Sequence, residues 1–268
     1  MPRSYDAVII GSGPNGMAAA VALAQSGASV HVVEAADSLG GGTRTAELTE
    51  PGFLHDVCSA VHPMGVLSPY LQTLPLDTLG LDWIHPPASV AHPLDDEPAV
   101  MLWRSLDKTC VSLGADEQAY RDLVSPFLER PKTLFADLMG PLRFPRLPWT
   151  MLRFGLTAIR SARSVAMSRF LEERARALFA GCAGHAIMPL EQRLTAALGL
   201  IFCVSGHLET WPVARGGSQA ITDALRRYYE SLGGTWETGR TIRTMEDLPE
   251  ARTYLFDTSP AQVSQIAG

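Results

Sequence analysis

The residues best spaced for chemistry are Gly11, Gly13 and Gly16, in the run Gly11-Ser12-Gly13-Pro14-Asn15-Gly16, with Glu34 following 23 positions after Gly11. Glycines at this spacing allow a tight turn, a close approach of backbone to a pyrophosphate, and close packing of the next helix on its strand. Free amides at a helix N-terminus, aided by the helix dipole, would hold the pyrophosphate, and an acid at the end of the second strand would accept from a ribose. Glycine turns are common, so the motif needs its context. That context is present: Ala7 to Ile10 is an apolar run before the turn, small apolar residues follow it, and a second apolar run ends on Glu34. The pattern is strand, turn, helix, strand, the opening of a dinucleotide-binding unit.

A second glycine loop, Gly40-Gly41-Gly42, stands close behind Glu34 and leads to Thr43, Arg44 and Thr45. Glycine amides and a guanidinium suit a pyrophosphate already placed nearby. A flexible surface loop with a solvated arginine is the alternative.

The elements that must position these residues continue along the chain. From about Thr73 to Ser112, short alternating pieces broken by Pro and Gly predict antiparallel strands in WIHPPASVAHPL, EPAVMLWRS and KTCVSL, with Asp95, Asp96 and Glu97 as a solvated hairpin tip. Gly114 to about Gly206 reads as largely helical. Between Arg143 and Arg176 lie eight arginines and two glutamates, a local +6 within a chain of net charge −6. There Leu152, Leu156 and Ile159 interleave with Arg153, Arg160 and Arg163 at roughly helical spacing. A basic amphipathic helix suits peripheral contact with an anionic membrane through 143–176; a substrate-domain helix with a solvated arginine face is the alternative. Gly216-Gly217-Ser218 opens a helix with Ile221, Leu225 and Tyr229 on one face, and Gly233-Gly234 stops it. Strands are then expected at Thr235 to Glu237, around Thr241 to Met245, and in RTYLFDTSP up to Asp257, with a helix in PAQVSQIAG.

With 46% hydrophobic and 19% charged residues, the chain of 268 residues is globular rather than disordered. The acidic balance argues against a general affinity for nucleic acid. Cys58, Cys110, Cys182 and Cys203 are far apart and form neither a zinc pattern nor a disulfide framework, so no metal site is expected. Lacking an apolar stretch behind a basic start, and any segment long enough to span a bilayer, the sequence predicts a cytoplasmic protein.

A GxGxxG unit, a terminal Glu, a GG loop ending in Thr and then a GF segment (Gly52-Phe53) resemble the flavin-dependent amine oxidase and phytoene desaturase superfamily, most closely its phytoene desaturase-like oxidoreductases. The resemblance implies an α/β fold: a Rossmann-like FAD-binding domain of the GR2 type over 1–72 and 208–268, with an inserted, partly helical substrate domain over 73–207. It implies FAD as cofactor, with Gly11, Ser12, Gly13, Pro14, Asn15 and Gly16 around the pyrophosphate. By the same resemblance Glu34 would hold the adenosine ribose, Gly41 and Gly42 would border the pyrophosphate and ribityl region, Ile242 would meet the adenine through its main chain, and Ala35, Thr43 and Arg44 would complete the cofactor site. Family members often carry arginine directly after the second glycine; here Gly42 stands there and Arg44 follows two residues later. Cys58 to His62 falls where relatives pass near the flavin ring.

Relatives also carry a C-terminal glycine-and-acid motif, and nothing in this chain matches it. A fold truncated before that motif is expected, the chain being either a fragment or one half completed by a second polypeptide or a homo-oligomer. The function implied is an FAD-dependent oxidoreductase taking hydride from a mostly apolar small molecule. A non-catalytic FAD-holding subunit and a lipid-binding protein like the Rab GDP-dissociation inhibitors are the alternatives. The sequence names no catalytic residue. His62 is a candidate by location only, and His55, His185 and His207 are equally unpaired in sequence.

Overall fold

Near-continuous apolar runs such as Ala7 to Ile10 suit strands covered on both faces, as in parallel sheets. The computed structural model describes residues 4–95 and 97–268. In it Tyr5–Ile10 and Val30–Val33 pair in parallel, Ala7 opposite Val30 and Ile10 opposite Val33. Ala251–Phe256 flanks the first strand and Thr235–Glu237 the second, giving a four-stranded, wholly parallel sheet. Parallel neighbours require crossovers, and Pro14–Gln25 supplies the first, burying Gly16, Met17, Ala20, Val21 and Ala24 on one face. Gln219–Ser231 packs against it and buries Ile221, Ala224, Leu225 and Tyr229.

The chain divides into two compact units. One comprises Met1–Val61, Leu74–Ile84 and Val213–Gly268; the other comprises His62–Thr73 and His85–Pro212. These limits differ from the domain limits expected from the sequence at 62–72, 74–84 and 208–212. The second unit pairs an antiparallel hairpin, Ala88–His92 with Val100–Trp103, with a set of helices. Its innermost helix, Thr195–Leu208, buries Ala196, Leu200, Cys203 and Val204 among Tyr120, Phe170, Phe179 and Leu102.

Four local expectations are corrected. KTCVSL is not a strand: Leu106–Val111 is helical because the Ser105 side chain accepts from the Lys108 N–H at 3.2 Å and Asp107 stands in the first turn. Thr241 to Met245 forms no strand either. Asp247 accepts the Arg243 and Thr244 amides at 2.9 and 3.0 Å and draws the segment into a loop ahead of the short turn Met245–Asp247. The basic segment is two helices, Pro148–Ala158 and Ala162–Arg169, because Ser161 caps the second through the Ser164 N–H. At the hairpin tip Glu97 is ion-paired with Arg174 at 3.1 Å rather than simply solvated, and Asp96 lies outside the described residues.

Among the described residues no helix is long and apolar enough to cross a membrane. Cys58 is exposed, while Cys110, Cys182 and Cys203 are buried thiols.

Candidate functional site

Strand Tyr5–Ile10 must turn at once into helix Pro14–Gln25, and Gly11 makes that turn at φ +98°. The helix starts at Pro14 with no side-chain cap, so its first turn is left open. Glu34 follows the second strand, and both its oxygens are held. Oε2 accepts the Ser12 N–H at 3.0 Å and the Ser12 hydroxyl at 2.5 Å; Oε1 accepts the Ala36 N–H at 2.8 Å. Ser12 Oγ in turn accepts the Gly40 N–H at 3.1 Å. A single buried hydroxyl therefore ties the acid, the first glycine turn and the second glycine loop together.

The second loop packs directly on the first. A Cβ on Gly41 would stand 2.9 Å from Gly13 Cα, closer than real side chains come. Thr43 donates to the Gly40 carbonyl at 2.8 Å and meets the Thr222 hydroxyl at 2.7 Å, and Arg44 Nε donates to the Gly41 carbonyl at 2.9 Å. Behind the loop, Asp56 accepts the Ser218 N–H at 2.7 Å and the Thr45 hydroxyl at 2.6 Å. The Gly216-Gly217-Ser218 block thus docks on strands Thr45–Glu47 and Leu54–Asp56. Gly217, at φ +104°, permits the approach, because a Cβ there would meet Thr45 Oγ1 at 2.5 Å.

These loops border a cleft of about 550 Å³ in the first unit. Of the residues expected from the sequence, Gly11, Ser12, Gly13, Pro14 and Asn15 line it, as do Glu34, Ala35, Gly41, Gly42 and Ile242. Gly16, Thr43 and Arg44 do not. Gly16 lies beneath the turn and gives its N–H to Asp257 Oδ2 at 2.8 Å. Thr43 and Arg44 bond the loop to itself and to Thr222.

Sequence reasoning missed the rest of the wall. Asp257 and Thr258 follow strand Ala251–Phe256, Gln262, Gln265 and Ile266 come from helix Pro260–Ala267, and Arg240 and Arg243 come from the loop after Thr235–Glu237. The one available signal was the acid ending a further strand of the expected sheet. Arg240 is paired with Glu237 at 2.8 Å and donates to the Asp247 carbonyl. The Arg243 and Thr244 amides hold the Asp247 carboxyl below the usual carboxylate range. Thr258 Oγ1 is buried and has no hydrogen-bond partner among the described residues.

The histidines have structural surroundings. His55 bonds Thr49 at 2.8 Å, His185 bonds the Cys182 carbonyl at 3.2 Å, and His207 bonds Tyr120 at 3.0 Å. His62 is buried in the second unit, and its backbone N–H donates to the Pro212 carbonyl at 2.9 Å. None of the four lines the cleft.

Several solved structures share the fold. The PF1083 protein of Pyrococcus furiosus superposes with a TM-score of 0.60 at 15% identity, covering 98% of this chain and 61% of that one. A putrescine oxidase bound to putrescine gives 0.56 at 19%, covering 99% and 60%. Cyclohexylamine oxidase from Brevibacterium oxydans gives 0.52 at 19%, covering 98% and 60%. The chain therefore spans about 60% of the length of these proteins. No curated protein matches the sequence. Residues 9–74, which hold both glycine loops and Glu34, match the family of NAD(P)-binding Rossmann-like domains.

Proposed function

We propose that this chain belongs to an FAD-dependent oxidoreductase that takes hydride from a mostly apolar small molecule, with FAD in the cleft of the first unit. The observation that carries the reading is the Glu34–Ser12–Gly40 chain of hydrogen bonds. It fixes a ribose-accepting carboxylate and two backbone-exposing loops in one place before any ligand arrives.

The cleft's chemistry suits the adenosine and pyrophosphate end of such a cofactor. Gly13 and Gly41 leave bare backbone on its wall, where a Cβ on Gly41 would strike Gly13. In the first turn of helix Pro14–Gln25, Pro14 has no N–H and Gly16 gives its own to Asp257, which leaves the Asn15 amide for an anion. The buried Thr258 hydroxyl has no partner among the described residues, and Thr258 lines the same cleft. Ile242 offers an apolar surface and main-chain atoms to a flat ring. Bound in this way, the cofactor would supply hydride acceptance, while the protein binds, orients and keeps out water.

The choice of FAD rests on the resemblance to flavin-dependent amine oxidases and phytoene desaturases and on fold relatives that include putrescine and cyclohexylamine oxidases. Because the chain spans about 60% of those relatives, the reading gives it the adenosine end of the site. The flavin end, and with it the substrate, belongs to the whole protein or to a complex with a second chain. A nicotinamide dinucleotide in the same cleft is the second reading, favoured by the description of the family that matches residues 9–74.

The deciding measurement is the visible absorption spectrum of the purified protein before and after adding FAD, followed by titration with NADH. A flavin band that Glu34→Ala weakens by tenfold or more in apparent affinity supports the reading. Uptake of NADH without uptake of FAD replaces it with the second.

A further inference from the structure

Residues 142–163 carry a second, unrelated feature of the second unit. Along helix Pro148–Ala158, Phe154, Thr157 and Ala158 face inward. Trp149, Leu152, Leu156 and then Ile159 recur at helical spacing on the outside, with Trp149 81% and Leu156 61% exposed. Leu142 and Phe144, just ahead of the helix, are more exposed still. Scattered apolar residues need no explanation, but a continuous row of this size on one face does.

The charge around the row has one sign. From Arg143 to Leu171 the chain holds six arginines and no acid. Arg143 reaches Asp137 at 3.7 Å and Arg163 reaches Glu191 at 3.2 Å. Arg146, Arg153, Arg160 and Arg169 have no carboxylate within ion-pair distance among the described residues; Arg153 donates to the Asp122 carbonyl, and Arg160 to Ser164 and Ser168.

At the end of the row an open depression of about 730 Å³ is bordered by Ile159, Arg160, Ser161, Ser164, Arg193 and Leu194, with Glu191 on one side. Leu194 lies on the same rim in a left-handed backbone conformation, φ +73°, and is 59% exposed. Its N–H donates to the Arg160 carbonyl at 3.1 Å. A bulky side chain held out in a conformation that costs energy, beside arginines with no carboxylate partner among the described residues, is an arrangement that burial within this unit does not explain.

We propose that this face seats the protein on an anionic lipid surface. Trp149, Leu152, Leu156 and Ile159 would enter the acyl boundary, and Arg160 and Arg193 would meet lipid phosphate. Apolar residues flanked by arginine, with tryptophan near the polar boundary, form the composition that the membrane interface rewards. Charge complementarity selects the lipid: a net-acidic protein presents its one strongly basic stretch here. The inference does not depend on the cofactor.

Flotation of the purified protein with vesicles of phosphatidylcholine alone, and with vesicles that also contain phosphatidylglycerol, tests it. At least tenfold more protein should float with the anionic vesicles. Trp149→Ala with Leu156→Ala should cut that binding tenfold or more while leaving the melting temperature unchanged, since both side chains are exposed. Arg160→Gln with Arg193→Gln should lower anionic binding and flatten its dependence on salt. Equal flotation with both vesicle types, or binding indifferent to both variant pairs, overturns the proposal. So does a wild type that floats with neither yet self-associates through Trp149, which would make the face a contact between copies.

Discussion

Asp257 Oδ2 accepts the Gly16 N–H at 2.8 Å, and all three fingerprint glycines are shaped around that aspartate. A Cβ on Gly11 would meet the Asp257 carbonyl oxygen at 2.4 Å, whereas one on Gly13 or Gly16 would meet Asp257 Oδ2 at 2.6 or 2.8 Å. The glycines are therefore required by the protein's own packing, apart from any ligand.

This makes a double-mutant cycle informative. Gly13→Ala clashes with the Asp257 side chain alone, so Asp257→Ala should relieve it. Gly11→Ala clashes with backbone at φ +98°, so the same change should not. The coupling between Gly13→Ala and Asp257→Ala, read from urea unfolding, should be about 1–3 kcal/mol, and that for Gly11→Ala near zero. Coupling near zero for Gly13→Ala as well would show that the Asp257 side chain is not what constrains that glycine.

Glu34 carries a structural load beside its proposed ligand role. Ser12 is fully buried, and removing the carboxylate strands its N–H and hydroxyl. Glu34→Ala should lower the stability of the ligand-free protein by about 1.5–3 kcal/mol. Chemical denaturation without cofactor measures this separately from affinity. If ligand-free stability is unchanged, the Ser12 bonds are not worth what their geometry implies.

Tyr229 closes the sheet on the side of helix Gln219–Ser231. Its hydroxyl donates to the Val30 carbonyl at 2.6 Å and to Thr235 at 3.0 Å, and burial pushes its ionisation above the usual tyrosine range. Tyr229→Phe should cost about 1 kcal/mol. Gly234→Ala should cost more, because its Cβ would lie 2.1 Å from the Tyr229 ring. Thermal melts of the two variants rank the effects, and a Gly234→Ala protein as stable as wild type would refute the packing argument.

What could be read from the sequence was local. Gly11 to Gly16, the helix behind them and Glu34 lie within one strand–helix–strand unit, and their spacing alone predicts their arrangement. Asp257 reaches Gly16 from 241 residues away, so no window of the sequence shows the pair. The same holds for Asp56 under Ser218. The local errors have local causes. Leu106–Val111 became a helix because Ser105 caps it, and the expected strand at Thr241 to Met245 gave way to the Asp247 carboxylate. Apolar alternation over a few residues does not separate a strand from a short capped helix, and cap chemistry decided each case.

His207, on the inner helix of the second unit, accepts from the Tyr120 hydroxyl at Nε2 and donates from Nδ1 to the Arg104 carbonyl at 3.3 Å. Burial pushes its pKa down to about 4, so the folded protein keeps it neutral where the unfolded chain, near 6.5, takes up a proton. The unfolded state thus binds more protons between these values. The stabilisation is complete above pH 6.5 and is lost as pH falls through about 4, amounting to about 3 kcal/mol. His207→Gln retains an amide that can donate to Arg104 and a carbonyl that can accept from Tyr120, but takes no proton in this range. Carboxylates also titrate at the lower end, so the quantity to follow is the difference between the two proteins. In urea unfolding at pH 7, 6, 5 and 4.5, the wild type should lose stability faster than the variant on acidification. A gap that stays constant across the series would mean that His207 is protonated in the folded state as readily as in the unfolded chain.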